Sequence, residues 1–153
     1  MLLKRVILIL KNYKMKRPDY RLWDGKKMRY NAIVGNGQAL YITDGTGEYK
    51  WTNLAEIIAM EKTGFEDTEF KFIWESDILE DKEGNIAVVV WIKEWGMFGV
   101  LLDYELEKYK DGDIKELDES MFWTFPLENR LYKKIGNIYE NPHLIENRMG
   151  KII

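Results

Sequence analysis

The chain contains no cysteine, one histidine and three prolines in 153 residues. Without cysteine there can be no disulfide, thiolate metal ligand or cysteine nucleophile, and a reducing cytoplasm is the compartment such a composition fits. The single histidine, His143, has no surrounding motif that would supply a partner within hydrogen-bond reach, so histidine-based catalysis is not expected. The N-terminal apolar run in "MLLKRVILILKNYKMK" extends only from Val6 to Leu10 before Lys11 interrupts it. A secretory core needs roughly 7 to 15 apolar residues and a transmembrane helix about 20, so neither a signal, an anchor nor a membrane partner is expected. Phosphate-cradling signatures are missing as well. "GNG" at 35–37 and "GTG" at 45–47 lie between strand-like stretches with no helix following, and they read as turns. No cofactor is expected.

What is present favours a globular fold. A hydrophobic fraction of 46% with 14% aromatics is too high for a chain that stays disordered. The length suits one ordinary domain or two small subdomains sharing a core. Net charge is small but polarised. Residues 1–29 hold ten Lys or Arg against two acids, and the remainder is strongly acidic. Such a distribution marks either a basic arm for nucleic acid or a segment that packs on the chain's own acidic surface.

Turn punctuation between short apolar stretches dominates the pattern. "YRLWD" runs into Asp24-Gly25 and then "KKMRYNAIV", a hairpin over Tyr20 to Val34; "QALYITD" and "EYKW" follow across the two glycine turns, giving an antiparallel meander. "TNLAEIIAMEK" changes period, with Leu54, Ile57 and Ile58 near helical spacing and Thr52 or Asn53 as a cap, so a short middle helix is expected, with a strand from Ile58 to Glu61 as the alternative for its second half. Ile86 to Ile92 is largely β-branched and Met97 to Leu102 resumes after Trp95-Gly96, a hairpin in which Ala87 to Trp91 should be buried on both faces. "KDGDIKELD" reads as a loop and "RLYKKIGNIYE" as a late strand interrupted at Gly136. Asn141 as cap and Pro142 at the first helical position begin a C-terminal helix.

Three separated pieces resemble one family, the YopX-like proteins of phages and prophages. The first is "YRLWDGKKM", carrying Tyr20, Arg21, Trp23 and Asp24. The second is central and carries Thr63, Gly64, Asp67, Ile73, Trp74, Glu75, Asp77 and Ile78. The third is "IGNIYENPHLI", with Gly136, Asn137, Tyr139, Glu140, Asn141 and Pro142. Order and spacing are both kept over Lys16 to Glu146. Phe70 and Ser76 stand where the family often has glycine. The resemblance implies a small β-rich fold with an SH3-like barrel, self-assembly into a homo-oligomer, and residence in the host bacterial cytoplasm, with no established activity. The expected class is therefore α+β, mainly β. Residues 1–15 form an N-terminal extension, 16–62 a meander with a short helix, and 63–153 an SH3-like barrel with a C-terminal helix, the last two sharing one compact unit if they pack together.

Two functional readings compete with a purely structural one. Glu66, Asp67, Glu69, Glu75, Asp77, Glu80, Asp81 and Glu83 offer oxygen ligands to a hard cation, but no window has the alternate acids, sixth-position glycine and twelfth-position glutamate of a calcium loop. On a strand, Glu75, Asp77 and Leu79 share a face, so these acids are expected on a solvated side and a carboxylate metal-dependent enzyme is not favoured. For nucleic acid, Arg17, Arg21, Lys26, Lys27 and Arg29 interleave with Tyr20, Trp23 and Tyr30, the combination that neutralises phosphates and stacks bases. The favoured expectation is a non-enzymatic binding or self-assembling module with no catalytic or metal residues and a host or phage protein partner; a nucleic-acid-binding accessory protein is the alternative.

Overall fold

The computed structural model describes residues 2–5, 19–43, 45–93, 96–102, 123–124 and 131–145. Among these residues, eleven strands make two antiparallel sheets. Strands β1 (Tyr20–Trp23), β2 (Met28–Gly35), β3 (Gln38–Ile42), β4 (Tyr49–Asn53), β5 (Ile58–Glu66) and β6 (Phe72–Trp74) form the first, in the order β4-β3-β2-β1-β5-β6. Strands β7 (Asp77–Glu80), β8 (Ile86–Ile92), β9 (Met97–Leu102), β10 (Trp123–Thr124) and β11 (Lys133–Asn137) form the second, ordered β10-β9-β8-β7-β11.

The turns expected from sequence are made by the residues that announced them. Asp24 Oδ1 accepts the amides of Lys26 and Lys27 at 2.9 and 2.8 Å, closing the β1–β2 hairpin over Gly25. Asn36 and Gly37 both take positive φ, 51° and 73°, between paired Gly35 and Gln38. That is the twist-matched two-residue turn that Asn-Gly favours.

The middle helix is not there. β4 ends at Asn53, residues 54–57 form a turn, and β5 starts at Ile58. The Leu54 amide donates to the Gly37 carbonyl and the Glu56 amide to that of Asn53, while Leu54 and Ile57 pack on Leu22, Ala32, Ala39 and Tyr41. β5 then pairs with β1 from Ile58 opposite Trp23 to Glu61 opposite Tyr20. Sheet pairing on a central strand outweighs a local helical preference worth a few tenths of a kcal/mol per residue.

The second sheet runs as a meander from β7 to β10, and β11 returns to the free side of β7. Among the described residues β10 and β11 do not pair, so the sheet is open and no closed barrel forms. β8 is apolar on both faces. Val88, Val90 and Ile92 join Ile78, Ile86 and Leu101, while Ala87 and Val89 join Ile73, Leu79, Val100 and Tyr132. Trp91 departs from the expected burial, 40% exposed and edge-on to Phe98.

At the C-terminus, residues 143–145 are helical, with Ile145 in the second sheet's core. The remainder of the expected C-terminal helix lies outside the described residues, as do the "KDGDIKELD" loop and all of the N-terminal extension except the helical residues 2–5.

Candidate functional site

The two sheets meet where β1, the turn between β6 and β7, and β11 converge. Arg21 and Asp77, both wholly buried, form the centre: Arg21 Nη2 donates to Asp77 Oδ1 at 2.8 Å and to the Glu75 carbonyl at 2.9 Å. Asp77 Oδ2 accepts the Trp74 amide at 2.8 Å and faces Lys134 Nζ at 3.1 Å. The guanidinium lies over the Trp74 ring, 5.5 Å from its centroid, and its Nε and Nη1 find no hydrogen-bond partner among the described residues. Burial pushes the Asp77 carboxyl upward, against the Arg21 and Lys134 charges and the Trp74 amide. Half-buried Glu75 is also held above its ordinary range, chiefly by burial and also by the nearby Glu61 charge.

The expected solvated face for these acids is therefore overturned. Ser76 takes φ 68°, which breaks strand alternation between Trp74 and Asp77 and turns the Asp77 carboxylate inward. Asp67 is also fully buried. Its Oδ1 accepts the amides of Glu69 and Lys71, both at 2.8 Å, and its Oδ2 that of Lys134 at 3.0 Å, so one carboxylate shapes the β5–β6 turn and fastens it to β11. Both acids are saturated by internal donors. Among the described residues no group of three His, Asp or Glu is placed to hold a metal ion.

The other family-motif residues are structural in the same way. Thr63 Oγ1 donates to the Ile73 carbonyl, beside Gly64 at φ 86°. Ile73 and Ile78 are core, and Trp23 stacks on Tyr139 at 5.8 Å. Tyr20 pairs with both β2 and β5. Asn137 Oδ1 accepts the amides of Tyr139 and Glu140, its Nδ2 donates to Glu140 Oε1, and its amide donates to Asn141 Oδ1. Asn141 was expected to cap a helix; its side chain reaches back to Asn137 instead, while the Pro142 carbonyl accepts the Ile145 amide. The three sequence pieces thus meet: first to second through Arg21–Asp77, first to third through Trp23–Tyr139, second to third through the Asp77–Asn137 register.

This convergence agrees with comparison to known proteins, in which the YopX protein family matches residues 19–146. The chain belongs to the YopX family. No curated protein matches it. The crystal structure of protein EF1440 from Enterococcus faecalis is similar, with a TM-score of 0.53 and 20% identity over 84% of this chain and 98% of that one. At that identity the likeness shows a shared fold alone. In this YopX chain Phe70 and Ser76, which the family resemblance would have as glycine, are both left-handed, at φ 65° and 68°.

Of the candidate nucleic-acid contacts, Lys26, Lys27 and Arg29 gather around Asp24 at the β1–β2 turn, apart from Arg21 in the junction. Arg21 is enclosed, its guanidinium engaged by Asp77 and Glu75. Arg29 pairs with Asp24 at 2.9 Å and lies over the Tyr41 ring. Lys26 and Lys27 are exposed at the β1–β2 turn, and Arg17 lies outside the described residues. No helix among the described residues is long and apolar enough to cross a membrane.

Sequence reading missed one surface. On the first sheet, Leu40 stands opposite both Ile33 and Trp51, and Ile42 opposite Tyr49, all on the face away from Ala39 and Tyr41. Ile33, Trp51, Ile42 and Tyr49 are 65, 63, 45 and 68% exposed. The signal was available: β3 is apolar at both parities, more than one buried face needs. A second feature, an open depression of about 210 Å³ beside Glu75, Ser76, Val88–Trp91 and Ile138, falls below the roughly 300–1,000 Å³ of small-molecule sites.

Proposed function

We propose that the chain is a non-enzymatic binding and self-assembling module, a phage or prophage YopX protein working in the cytoplasm of its bacterial host as a homo-oligomer that also engages a host or phage protein. The supporting observation is the apolar face of the first sheet, in which Ile33, Leu40, Trp51, Ile42 and Tyr49 form a contiguous patch reaching the sheet margin. Contiguous patches of this kind, rich in aromatics, mark association surfaces on small domains. The family motifs meanwhile build the junction, where the buried acids Asp67 and Asp77 are bonded internally. The second sheet, with its meander and returning last strand, is read as an opened SH3-like arrangement.

The alternative of nucleic-acid binding has less behind it, because among the four described candidates Arg21 is enclosed and Arg29 is paired with Asp24, leaving Lys26 and Lys27 exposed at a turn. Sedimentation velocity of the full chain from micromolar to submillimolar concentration separates the readings. A concentration-dependent oligomer with no retention on DNA at low salt is the expected result. A monomer throughout would overturn the proposal, and DNA retention that falls steeply with salt would favour the alternative.

A further inference from the structure

We infer that the partner seated on the margin of the first sheet is a second copy of this chain, joined antiparallel through β4 about a two-fold axis at Trp51. The inference rests on the assembly reading above and specifies its geometry.

The orientation of the β4 backbone follows from its register. Residues of β3 and β4 pair from Gln38 opposite Asn53 to Ile42 opposite Tyr49 with no bulge. Beyond the ends of that ladder, the Leu54 amide donates to the Gly37 carbonyl and the Thr43 amide to the Glu48 carbonyl. In an antiparallel pair, bonded and non-bonded positions alternate. The even-numbered residues 48, 50, 52 and 54 therefore turn their backbone groups toward β3. Tyr49, Trp51 and Asn53 turn theirs outward, on a side where β4 has no strand partner among the described residues.

A symmetric pairing that uses those outward groups can centre on an outward residue or on an inward one; centring on Lys50 would set the two lysines directly against each other, and centring on Thr52 would set Tyr49 against Ala55, outside the strand. Centring on Trp51 engages the whole strand. Trp51 exchanges both backbone bonds with Trp51 of the other copy, and Tyr49 does so with Asn53. Centring on Tyr49 would set Trp51 against Gly47, outside the strand, and leave Asn53 without a mate. In the favoured register Lys50 faces Thr52, so its charge meets no like charge. The apolar stripe Ile33-Leu40-Trp51 then continues without a break into its symmetry mate, and the two indoles become cross-strand neighbours.

The margin lacks the usual defences of an exposed edge. β4 contains no proline and no bulge, and its one charge, Lys50, projects to the opposite face from Tyr49 and Trp51. Tyr49 and Trp51, about two-thirds exposed and from a class burying roughly 150–250 Å² each, contribute about 250 Å² per copy. The two copies' rings together supply about 500 Å², less than the roughly 1,200 Å² of a standard interface, so the ladder hydrogen bonds and these rings hold a weak, reversible dimer.

The test uses the full chain with Trp51→Glu, Ile33→Glu and the double variant Lys50→Cys/Thr52→Cys, each checked for native circular dichroism. Trp51→Glu should weaken the dimer by about tenfold or more, as for a central aromatic anchor. Ile33→Glu, two strands inward, should leave it within about threefold. The double variant, in a chain with no other cysteine, places thiols on non-bonded cross-strand positions about 4.5 Å apart between Cα atoms, and oxidation should yield a covalent dimer. An oligomer that survives Trp51→Glu, or is lost with Ile33→Glu instead, would overturn the β4 geometry while leaving self-assembly standing. A wild-type chain that stays monomeric would overturn both.

Discussion

Gly136 and the side chain of Asn141 occupy adjoining space so closely that a Cβ added at Gly136 would fall 2.5 Å from Asn141 Oδ1. The glycine makes room for the oxygen that receives the Asn137 amide, and that amide begins the turn carrying Tyr139 to its stack with Trp23.

Gly136→Ala should therefore destabilise the fold by about 1–3 kcal/mol, the usual cost of overpacking, and shift the urea midpoint without changing the denaturant slope. Asn141→Ala in the same background should recover part of the loss, since it removes the atoms a methyl would strike.

Removing one partner of the Arg21–Asp77 pair strands a buried charge. Arg21→Leu should cost about 3–5 kcal/mol, far more than loss of an exposed ion pair such as Lys71–Glu69. A double-mutant cycle with Asp77→Asn should return a coupling of about 0.5–3 kcal/mol; additive effects would show that the pair does not act as a unit.

Glu75 predicts a direction with pH. Its folded-state pKa lies above the ordinary value of 4.5, so between those two values the folded chain binds the extra proton and stability falls as pH rises. The cost is absent below the ordinary value and complete above the folded one. Glu75→Gln, which keeps an oxygen for the Glu61 amide, should match the parent near pH 4 and exceed it at pH 7.5. Equal stability at both pH values would contradict the burial of this carboxyl.

Phe70 is 66% exposed and left-handed at φ 65°, a conformation costing a side-chain-bearing residue roughly 1–2 kcal/mol. Phe70→Gly should raise stability by about 0.5–1 kcal/mol after the added freedom of the unfolded chain is deducted. Gly64→Ala, at φ 86°, should move it the other way. Thermal melts of the two variants provide the comparison.

Much of the strand order was legible because its punctuation is local: Asp24-Gly25, Asn36-Gly37 and Gly45 to Gly47 each specify a turn by conformation alone. The helix expected from Thr52 onward failed because Ile58 to Glu61 satisfy a sheet whose other members lie far away in the sequence. Burial of Asp67 and Asp77 was hidden for a related reason. Period-two alternation assumes an unbroken strand, and the left-handed Ser76 resets it between Trp74 and Asp77. Lys134, which supplies a cation to Asp77 and an amide to Asp67, carries no sequence signal, since one lysine in "LYKKIG" looks like any other.

The return of β11 to β7 bears on how the chain is made. β7 is complete by Glu80, yet the strand that covers its free side spans Lys133–Asn137. During synthesis at about 5–20 residues per second, that side of β7, with Asp67 and Asp77 still lacking Lys134, waits several seconds for residues 133–137 to emerge from the ribosome. The junction thus closes only after β11 is made, and a message truncated before residue 133 would release chains with an open, adhesive sheet.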